Sequence, residues 1–282
     1  MLRTLAVAWL LCLALIGSAH ASTPRSIVDI PYIADGLDTH RLDLYLPVAP
    51  ANAPVVVFVY GGAFMQGDRR GFAKVGRDLA RQGIVLVIPS YRLFPDSDAQ
   101  GATNDVAAAV AWTIAHAAPY GLDTSRLYLA GHSAGAQIVS MLGTHPAYLR
   151  TAGVDFSLVR GVISLAGVYD VRNLSDEPHS WQVVDFKIYG QTSDARARIS
   201  PALDIDPHAP PFMIVCGSDD DPDACDRAIY FMRRLHAAGV SAFVIRDMGA
   251  DHVGVLRSAI DPRDPVFAAL MHFIGLTTKG TP

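Results

Sequence analysis

The stretch LYLAGHSAGAQIVSML, residues 127–142, places one serine between two glycines, with apolar residues on each side. The residues up to Ala130 have the pattern of a buried strand, and those from Ala134 onward have the pattern of a helix. A serine at such a strand-to-helix turn projects its hydroxyl clear of the backbone, and the flanking glycines leave room where a Cβ would collide. Gly-x-Ser-x-Gly alone is a weak pattern, but this context predicts that Ser133 is a nucleophile rather than an ordinary polar turn residue.

Short β-branched runs alternate with longer alanine-rich amphipathic runs along the chain. This alternation predicts an α/β fold with a mostly parallel central sheet and helices on both faces. The first two strands follow each other without a helix, which predicts an antiparallel start. The strand-like runs are 27–31, 42–46, 54–60, 84–91, 126–130, 161–167, 211–217 and 241–247, and the helix-like runs are 72–83, 102–118, 134–144, 223–239 and 265–275.

The stretch 170–210 is long, polar and weakly periodic. Long irregular insertions in compact domains often serve as lids or binding loops. We therefore expect a small loop-rich lid, with a short helix or two, over one end of the sheet. A solvated connector is the alternative.

Two glycines directly follow the buried strand 54–60. A Gly-Gly pair lets the backbone pass close to a bound substrate with its N–H groups facing the pocket. We expect an oxyanion hole formed by the N–H groups of Gly62 and Ala63, together with that of Ala134 after the nucleophile. A plain glycine turn is the alternative.

Three runs, VVVFVYGGAFMQGD, SYRLFP and DVAAAVAWTIAHAAPYGLDTSRLYLAGHSAGA, resemble the α/β-hydrolase superfamily. They are most similar to its esterases of the hormone-sensitive-lipase, feruloyl-esterase or kynurenine-formamidase type, and the resemblance spans roughly residues 40–275. Those esterases usually carry His-Gly-Gly-Gly in the oxyanion motif, whereas this chain has Tyr60 for the histidine and Ala63 for the third glycine. The backbone donors survive both changes.

The resemblance implies a serine carboxylesterase without a metal or an organic cofactor. Because only the stretch 170–210 is available as a lid, we expect small to medium carboxylic esters as substrates rather than long-chain lipids. An aryl-formamide hydrolase or a peptidase-like amide hydrolase would use the same residues. A non-catalytic binding module of the same fold is the alternative from another class. It would lack one of the catalytic residues, and this chain has candidates for all of them.

The superfamily order is serine, then acid, then histidine. By resemblance to the motif Gly-x-x-Asp after a late strand, the acid is Asp220, with Asp219 and Asp221 left open. The acidic run lacks the glycine and glutamate that a calcium-binding loop needs at its sixth and twelfth positions, so no metal site is expected. His252 is the predicted base, because it follows the last strand-like run in a glycine-containing loop.

The N-terminal residues have the pattern of a cleavable secretory signal: Arg3, an apolar stretch over 5–16 and the triplet Ala19-His20-Ala21. Cleavage after Ala21 would remove 1–21 and leave one hydrolase domain, 22–282, in an exported protein that is periplasmic or secreted. The apolar stretch is shorter than the roughly 20 residues of a spanning helix. We therefore expect no stable membrane insertion after cleavage; an uncleaved anchor or a buried helix is the alternative.

The chain has 23 basic and 27 acidic residues and a formal net charge of −4, without a basic run or stripe. A nucleic-acid partner is therefore not expected; the oligomeric state is left open. Outside the predicted signal, Cys216 and Cys225 are an even pair that permits one disulfide in an oxidising compartment. We favour a bridge over two buried thiols, and we expect it to position the acid by closing the loop that holds the candidate aspartates.

Overall fold

The computed structural model describes residues 23–172 and 182–276. The predicted signal, residues 1–21, lies outside the described residues, and so do residues 173–181 of the predicted lid. Among the helices of the two described ranges, none combines the length and the apolar character needed to cross a membrane.

An eight-stranded sheet forms the centre of the fold, in the order β1-β2-β4-β3-β5-β6-β7-β8. β2 runs antiparallel to β1 and β4, and every other neighbouring pair is parallel. Both the mostly parallel sheet and the antiparallel start are confirmed. The strands are β1 Arg25–Pro31, β2 Arg41–Leu46, β3 Val55–Val59, β4 Val85–Pro89, β5 Leu127–His132, β6 Val159–Leu165, β7 Phe212–Gly217 and β8 Ala242–Asp247.

Helices cover both faces of the sheet, so the central strands are continuously apolar rather than alternating. The two sides can be followed on β6. A Cβ at Gly143 of the fourth helix would lie 2.6 Å from Val162 Cγ2. The next residue, Ile163, lies on the opposite face against Leu256 and Leu270 of the ninth and tenth helices. The helices are α1 Ala73–Arg81, α2 Ala99–Ala115, α3 Ala117–Tyr120, α4 Ala134–Thr144, α5 Ala147–Thr151, α6 Gln182–Tyr189, α7 Ser193–Ala197, α8 Ala224–Ala237, α9 Gly254–Ile260 and α10 Pro265–Phe273.

The structure differs from the predicted helices in two ways. The predicted helix over 102–118 begins earlier, because the Asp98 side chain accepts a hydrogen bond from the Gly101 N–H and caps α2. It also divides at His116 into α2 and α3. The sequence reading did not predict α5 and α9, which have five and seven residues, too few for a helical period to stand out.

The described part of the predicted lid contains two short helices, α6 and α7, as the sequence reading allowed. The buried side chain of Arg196 on α7 joins the two sides of this excursion. Its Nε donates to the Arg172 carbonyl at 3.1 Å and its Nη1 to the Gly190 carbonyl at 3.2 Å. The ring of Tyr189, at the end of α6, meets the ring of Phe64 edge-on with centroids 5.7 Å apart. The excursion therefore packs against the loop that follows β3.

Candidate active site

Ser133 occupies the sharp turn between β5 and α4, at the carboxyl edge of the parallel strands. Its φ of +57° and ψ of −121° put a non-glycine residue in a strained conformation. Its N–H donates to the Leu165 carbonyl of β6 at 2.9 Å. The motif glycines permit this close packing: a Cβ at Gly131 would lie 2.3 Å from the Gly135 carbonyl oxygen, and one at Gly135 would lie 2.1 Å from that of Val59.

The structure brings Ser133, His252 and Asp220 together in one chain of hydrogen bonds. His252 Nε2 lies 2.9 Å from Ser133 Oγ, and His252 Nδ1 lies 2.8 Å from Asp220 Oδ2. With a proton on Nδ1, the imidazole donates to Asp220 and accepts from the serine hydroxyl. The side chain of Asp220 is 10% exposed and that of His252 is 44% exposed. The arrangement thus has a covered carboxylate and an open imidazole next to a serine hydroxyl.

Of the three aspartates that the sequence left open, Asp220 is the one that contacts His252. The carboxylate of Asp219 instead accepts from the Ser218 hydroxyl at 2.8 Å. The carboxylate of Asp221 accepts a backbone N–H two residues further on, and this hydrogen bond is the main reason that its pKa is lowered. Asp221 is therefore an ionised residue that caps the turn before α8.

Cys216 and Cys225 form the predicted disulfide, with their Cα atoms 5.2 Å apart. The bridge ties the end of β7 to the first turn of α8 and closes the loop that carries Asp220. The same loop lies directly on the His252 loop. A Cβ at Gly217 would lie 2.2 Å from the Ala250 carbonyl oxygen, and the Asp219 N–H donates to that oxygen at 3.0 Å.

The loop after β3 borders the nucleophile with bare backbone. A Cβ at Gly61 would lie 2.7 Å from Ser133 Cβ, and one at Gly62 would lie 1.9 Å from the Gln66 carbonyl oxygen. Gly62 and Ala63 have φ values of +135° and +53°, so this loop turns through conformations that favour glycine. Ala134, the third predicted donor, is the first residue of α4, where N–H groups lack intrahelical acceptors.

Aromatic side chains pack against this loop after β3 on the side away from Ser133. The ring of Tyr60 stacks between Tyr91 and Phe72, with centroid distances of 4.8 and 5.7 Å. The Tyr91 hydroxyl donates to the Tyr60 carbonyl at 2.9 Å, and burial raises the pKa of Tyr91 so that it stays protonated. The Phe94 N–H donates to the Phe64 carbonyl at 2.7 Å. Tyr60, which replaces a histidine of the resembled motif, is thus a buried packing residue.

His132 is a site residue that the sequence reading missed. It is the variable residue of Gly-x-Ser-x-Gly, so its adjacency to Ser133 was the available signal. In the structure its ring is buried, and its Nε2 lies 2.8 Å from the backbone carbonyl oxygen of His252. Burial is the main cause of the lowered pKa of His132.

A cavity of about 250 Å³ adjoins Asp220 and His252. Its walls are the loop after β6, the end of β7 and the first turns of α8. They include Gly167, Tyr169 and Arg227. The cavity therefore lies beside the His252–Asp220 pair, and Ser133 is not among its lining residues.

The sheet order, the strained serine turn and the chain order serine, aspartate, histidine define an α/β-hydrolase. The family model described as BD-FAE matches residues 42–235, more than half of the chain. The chain belongs to the BD-FAE family.

Curated relatives carry esterase and formamidase names. The chain is 32% identical over 222 residues to the esterase LipC of Mycobacterium tuberculosis, a match that covers 73% of this chain and 54% of LipC. It is 29% identical over 244 residues to the probable isoprenylcysteine alpha-carbonyl methylesterase ICMEL1 of Arabidopsis thaliana, covering 79% and 51%. It is 24% identical over 270 residues to the kynurenine formamidase of Danio rerio, covering 90% and 84%. The chain spans about half the length of the first two relatives.

Solved structures share the fold. A truncated carbohydrate esterase from gut microbiota superposes with a TM-score of 0.76 at 21% identity, over 89% of this chain and 95% of that one. Esterase B from Lactobacillus rhamnosis superposes with a TM-score of 0.74 at 20% identity, over 90% and 84%. At these identities the likeness supports the architecture alone.

Proposed function

We propose that the protein is a serine carboxylesterase that hydrolyses small to medium carboxylic esters through an acyl-enzyme on Ser133. The observation that carries the proposal is the continuous chain of hydrogen bonds from Ser133 Oγ through His252 to Asp220. The relatives named as esterases support an ester as the substrate.

In the proposed reaction, His252 Nε2 takes the proton of Ser133 as Oγ attacks the ester carbonyl. Asp220 holds the imidazole in the required tautomer and stabilises the imidazolium. The N–H groups of Gly62, Ala63 and Ala134 donate to the oxyanion, a contribution of about 3 kcal/mol for each donor in comparable enzymes. His252 then protonates the departing alcohol, and a water molecule activated by His252 cleaves the acyl-enzyme. The sequence of steps uses no metal and no organic cofactor.

A further observation bears on the compartment in which the protein works. The disulfide between Cys216 and Cys225 favours an oxidising compartment, in agreement with the predicted export signal.

An aryl-formamide is the second candidate substrate. Its support is the similarity to the kynurenine formamidase of Danio rerio, which covers 90% of this chain. The same serine, base and oxyanion donors would attack a formyl carbon, and His252 would protonate a departing amine instead of an alcohol.

Hydrolysis of p-nitrophenyl esters from acetate to palmitate, beside an aryl-formamide, tests the proposal. We expect the protein to cleave the short esters fastest and the Ser133→Ala variant to lose that activity while keeping its fold. Faster cleavage of the formamide would favour the second candidate. Equal activity in the Ser133→Ala variant would refute both, and no activity on any substrate would favour a non-catalytic binding module.

A further inference from the structure

The loop that carries His252 is held on two sides. On the side of the acid loop, the Gly249 N–H donates to Ser218 Oγ at 2.7 Å, and the Ala250 carbonyl accepts from the Asp219 N–H at 3.0 Å. At residue 252 itself, the backbone carbonyl accepts from His132 Nε2 at 2.8 Å. Because a carbonyl can only accept, the proton of this hydrogen bond belongs to His132 Nε2.

His132 is the last residue of β5 and directly precedes Ser133. Two hydrogen bonds therefore join the same two segments: one from the His132 side chain to the His252 backbone, and one between Ser133 Oγ and the His252 side chain. The two imidazole rings lie 5.0 Å apart at a tilt of 54°. His252 is therefore held by two hydrogen bonds, one to its backbone carbonyl and one to its side chain.

The His132 ring also lies close to Gly61, in the loop after β3 that contains the predicted oxyanion donors Gly62 and Ala63. A Cβ at Gly61 would lie 3.2 Å from His132 Nδ1, and 2.8 Å from the His132 carbonyl oxygen. A single buried side chain thus borders the segment with the predicted oxyanion donors, the nucleophile turn and the base loop.

We propose that His132 is a positioning residue: its Nε2–H holds the carbonyl of His252 and thereby sets the distance between His252 Nε2 and Ser133 Oγ. The proposal rests on the proposed function. A displacement of about 1 Å in a catalytic group can cost about 100-fold in rate, and Val253, next to the base, is 47% exposed. This hydrogen bond, which we call the His132 clamp, therefore holds the loop at residue 252, where the next side chain does not pack against the protein.

The electrostatics agree with this role. The groups that face His132 are His252 and Asp220, and burial lowers the pKa of His132, which favours the neutral ring. A neutral donor holds the carbonyl without adding a second positive charge 5.0 Å from His252 when that ring becomes an imidazolium during acylation.

Two substitutions separate the clamp from simple packing. His132→Phe keeps a ring of similar size and removes the donor, whereas His132→Gln keeps an N–H donor that can reach the same carbonyl. We expect kcat to fall by about 10- to 100-fold in His132→Phe, with KM within about threefold of the wild type. We expect His132→Gln to recover most of that loss. Thermal unfolding of both variants reports whether they are folded, and His145→Phe is the control for a partly buried histidine at the other end of α4.

Equal kcat in His132→Phe and the wild type would overturn the proposal, as would a His132→Gln variant that is folded but as impaired as His132→Phe. The rate at which a fluorophosphonate labels Ser133 is the second measurement, since it depends on the same base and needs no turnover. If the wild type labels and His132→Phe labels equally fast, the clamp alone is refuted. If the wild type neither turns over nor labels, the proposed function fails and the clamp with it.

Discussion

Two histidine–aspartate pairs in this molecule have the same contact in opposite surroundings. His40 Nδ1 lies 2.5 Å from Asp35 Oδ2, and His252 Nδ1 lies 2.8 Å from Asp220 Oδ2. In the first pair the histidine side chain is 5% exposed and the aspartate 37%. In the second pair the order is reversed, with 44% for the histidine and 10% for the aspartate.

The second nitrogen of each ring completes the contrast. His40 Nε2 faces the buried carboxylate of Asp105 at 3.3 Å, whereas His252 Nε2 faces the hydroxyl of Ser133 at 2.9 Å. The covered imidazole of His40 lies between two carboxylates and connects the turn before β2 to α2 and to the loop after β1, but it cannot reach a substrate. An open imidazole beside a hydroxyl can move a proton to and from one. A histidine–aspartate contact alone therefore does not define a site. What distinguishes the second pair is that its histidine is exposed and that the other ring nitrogen faces the Ser133 hydroxyl.

The largest difference is expected when each histidine is replaced by glutamine. In His252→Gln we expect kcat to fall by about 10⁴-fold or more, because the base is lost, with little change in Tm. In His40→Gln we expect kcat within about threefold of the wild type and a lower free energy of unfolding, because a buried imidazole that contacts Asp35 and the buried carboxylate of Asp105 is lost. Steady-state kinetics and thermal unfolding check both. A similar kinetic loss in the two variants would show that His40 and His252 do not differ in role.

Replacing the aspartates gives the next largest effect. We expect Asp220→Asn to lower kcat by about 10³- to 10⁴-fold, since an amide favours the wrong imidazole tautomer. Asp35→Asn is the matched change in the other pair, and Asp219→Asn and Asp221→Asn are matched changes in the same loop; we expect about threefold or less in each. A larger loss in Asp219→Asn or Asp221→Asn than in Asp220→Asn would move the acid to that residue.

Asp220, the partner of His252, lies in a loop that the disulfide between Cys216 and Cys225 closes. In the Cys216→Ser, Cys225→Ser double variant we expect the free energy of unfolding to fall by about 2–3 kcal/mol, as for other loops of about ten residues. We also expect a lower kcat, because the bridge restrains the loop that carries Asp220. Denaturant unfolding and steady-state kinetics give the two values. If the double variant, or the wild type after reduction, keeps both stability and activity, the bridge has no part in positioning the acid.

The smallest effect concerns two other histidines, His132 and His145. Burial lowers the pKa of both below the ordinary value of 6.5, with His252 and Asp220 near the first and Asp204 near the second. The unfolded chain therefore binds more protons than the folded protein just below pH 6.5, and stability falls as the pH decreases. We expect at most about 1.4 kcal/mol per pH unit for each histidine. Thermal unfolding between pH 7 and pH 5 measures this slope, and a His145→Gln variant with an unchanged slope would contradict the contribution of His145.

Much of the fold could be predicted because buried parallel strands are continuous apolar runs. The run 54–60 contains β3, and the run 84–91 contains β4. The strands β3 and β4 themselves are apolar throughout, because helices cover the two faces of the sheet. Ser133 and His252 could be proposed for a related reason. The turn needs glycines on both sides of the serine, and His252 follows the last strand in the order that the resembled superfamily requires.

The remaining features depend on how loops pass one another. Three consecutive aspartates have identical side chains, so the sequence cannot tell which one contacts His252. The path of the backbone after Gly217, which lies against Ala250, turns Asp220 toward His252. The contact between His132 and the His252 carbonyl joins residues 120 positions apart, and no local pattern predicts it. The oxyanion role of Gly62, Ala63 and Ala134 and the signal over 1–21 stay predictions.

The most direct test of an acyl-enzyme on Ser133 is the mass of the enzyme quenched during turnover of p-nitrophenyl acetate, followed by peptide mapping. We expect one acetyl group on the peptide that contains Ser133, attached to Ser133 itself. We expect no adduct in Ser133→Ala. An acyl group on another residue, or undiminished turnover in Ser133→Ala, would contradict the acyl-enzyme on Ser133.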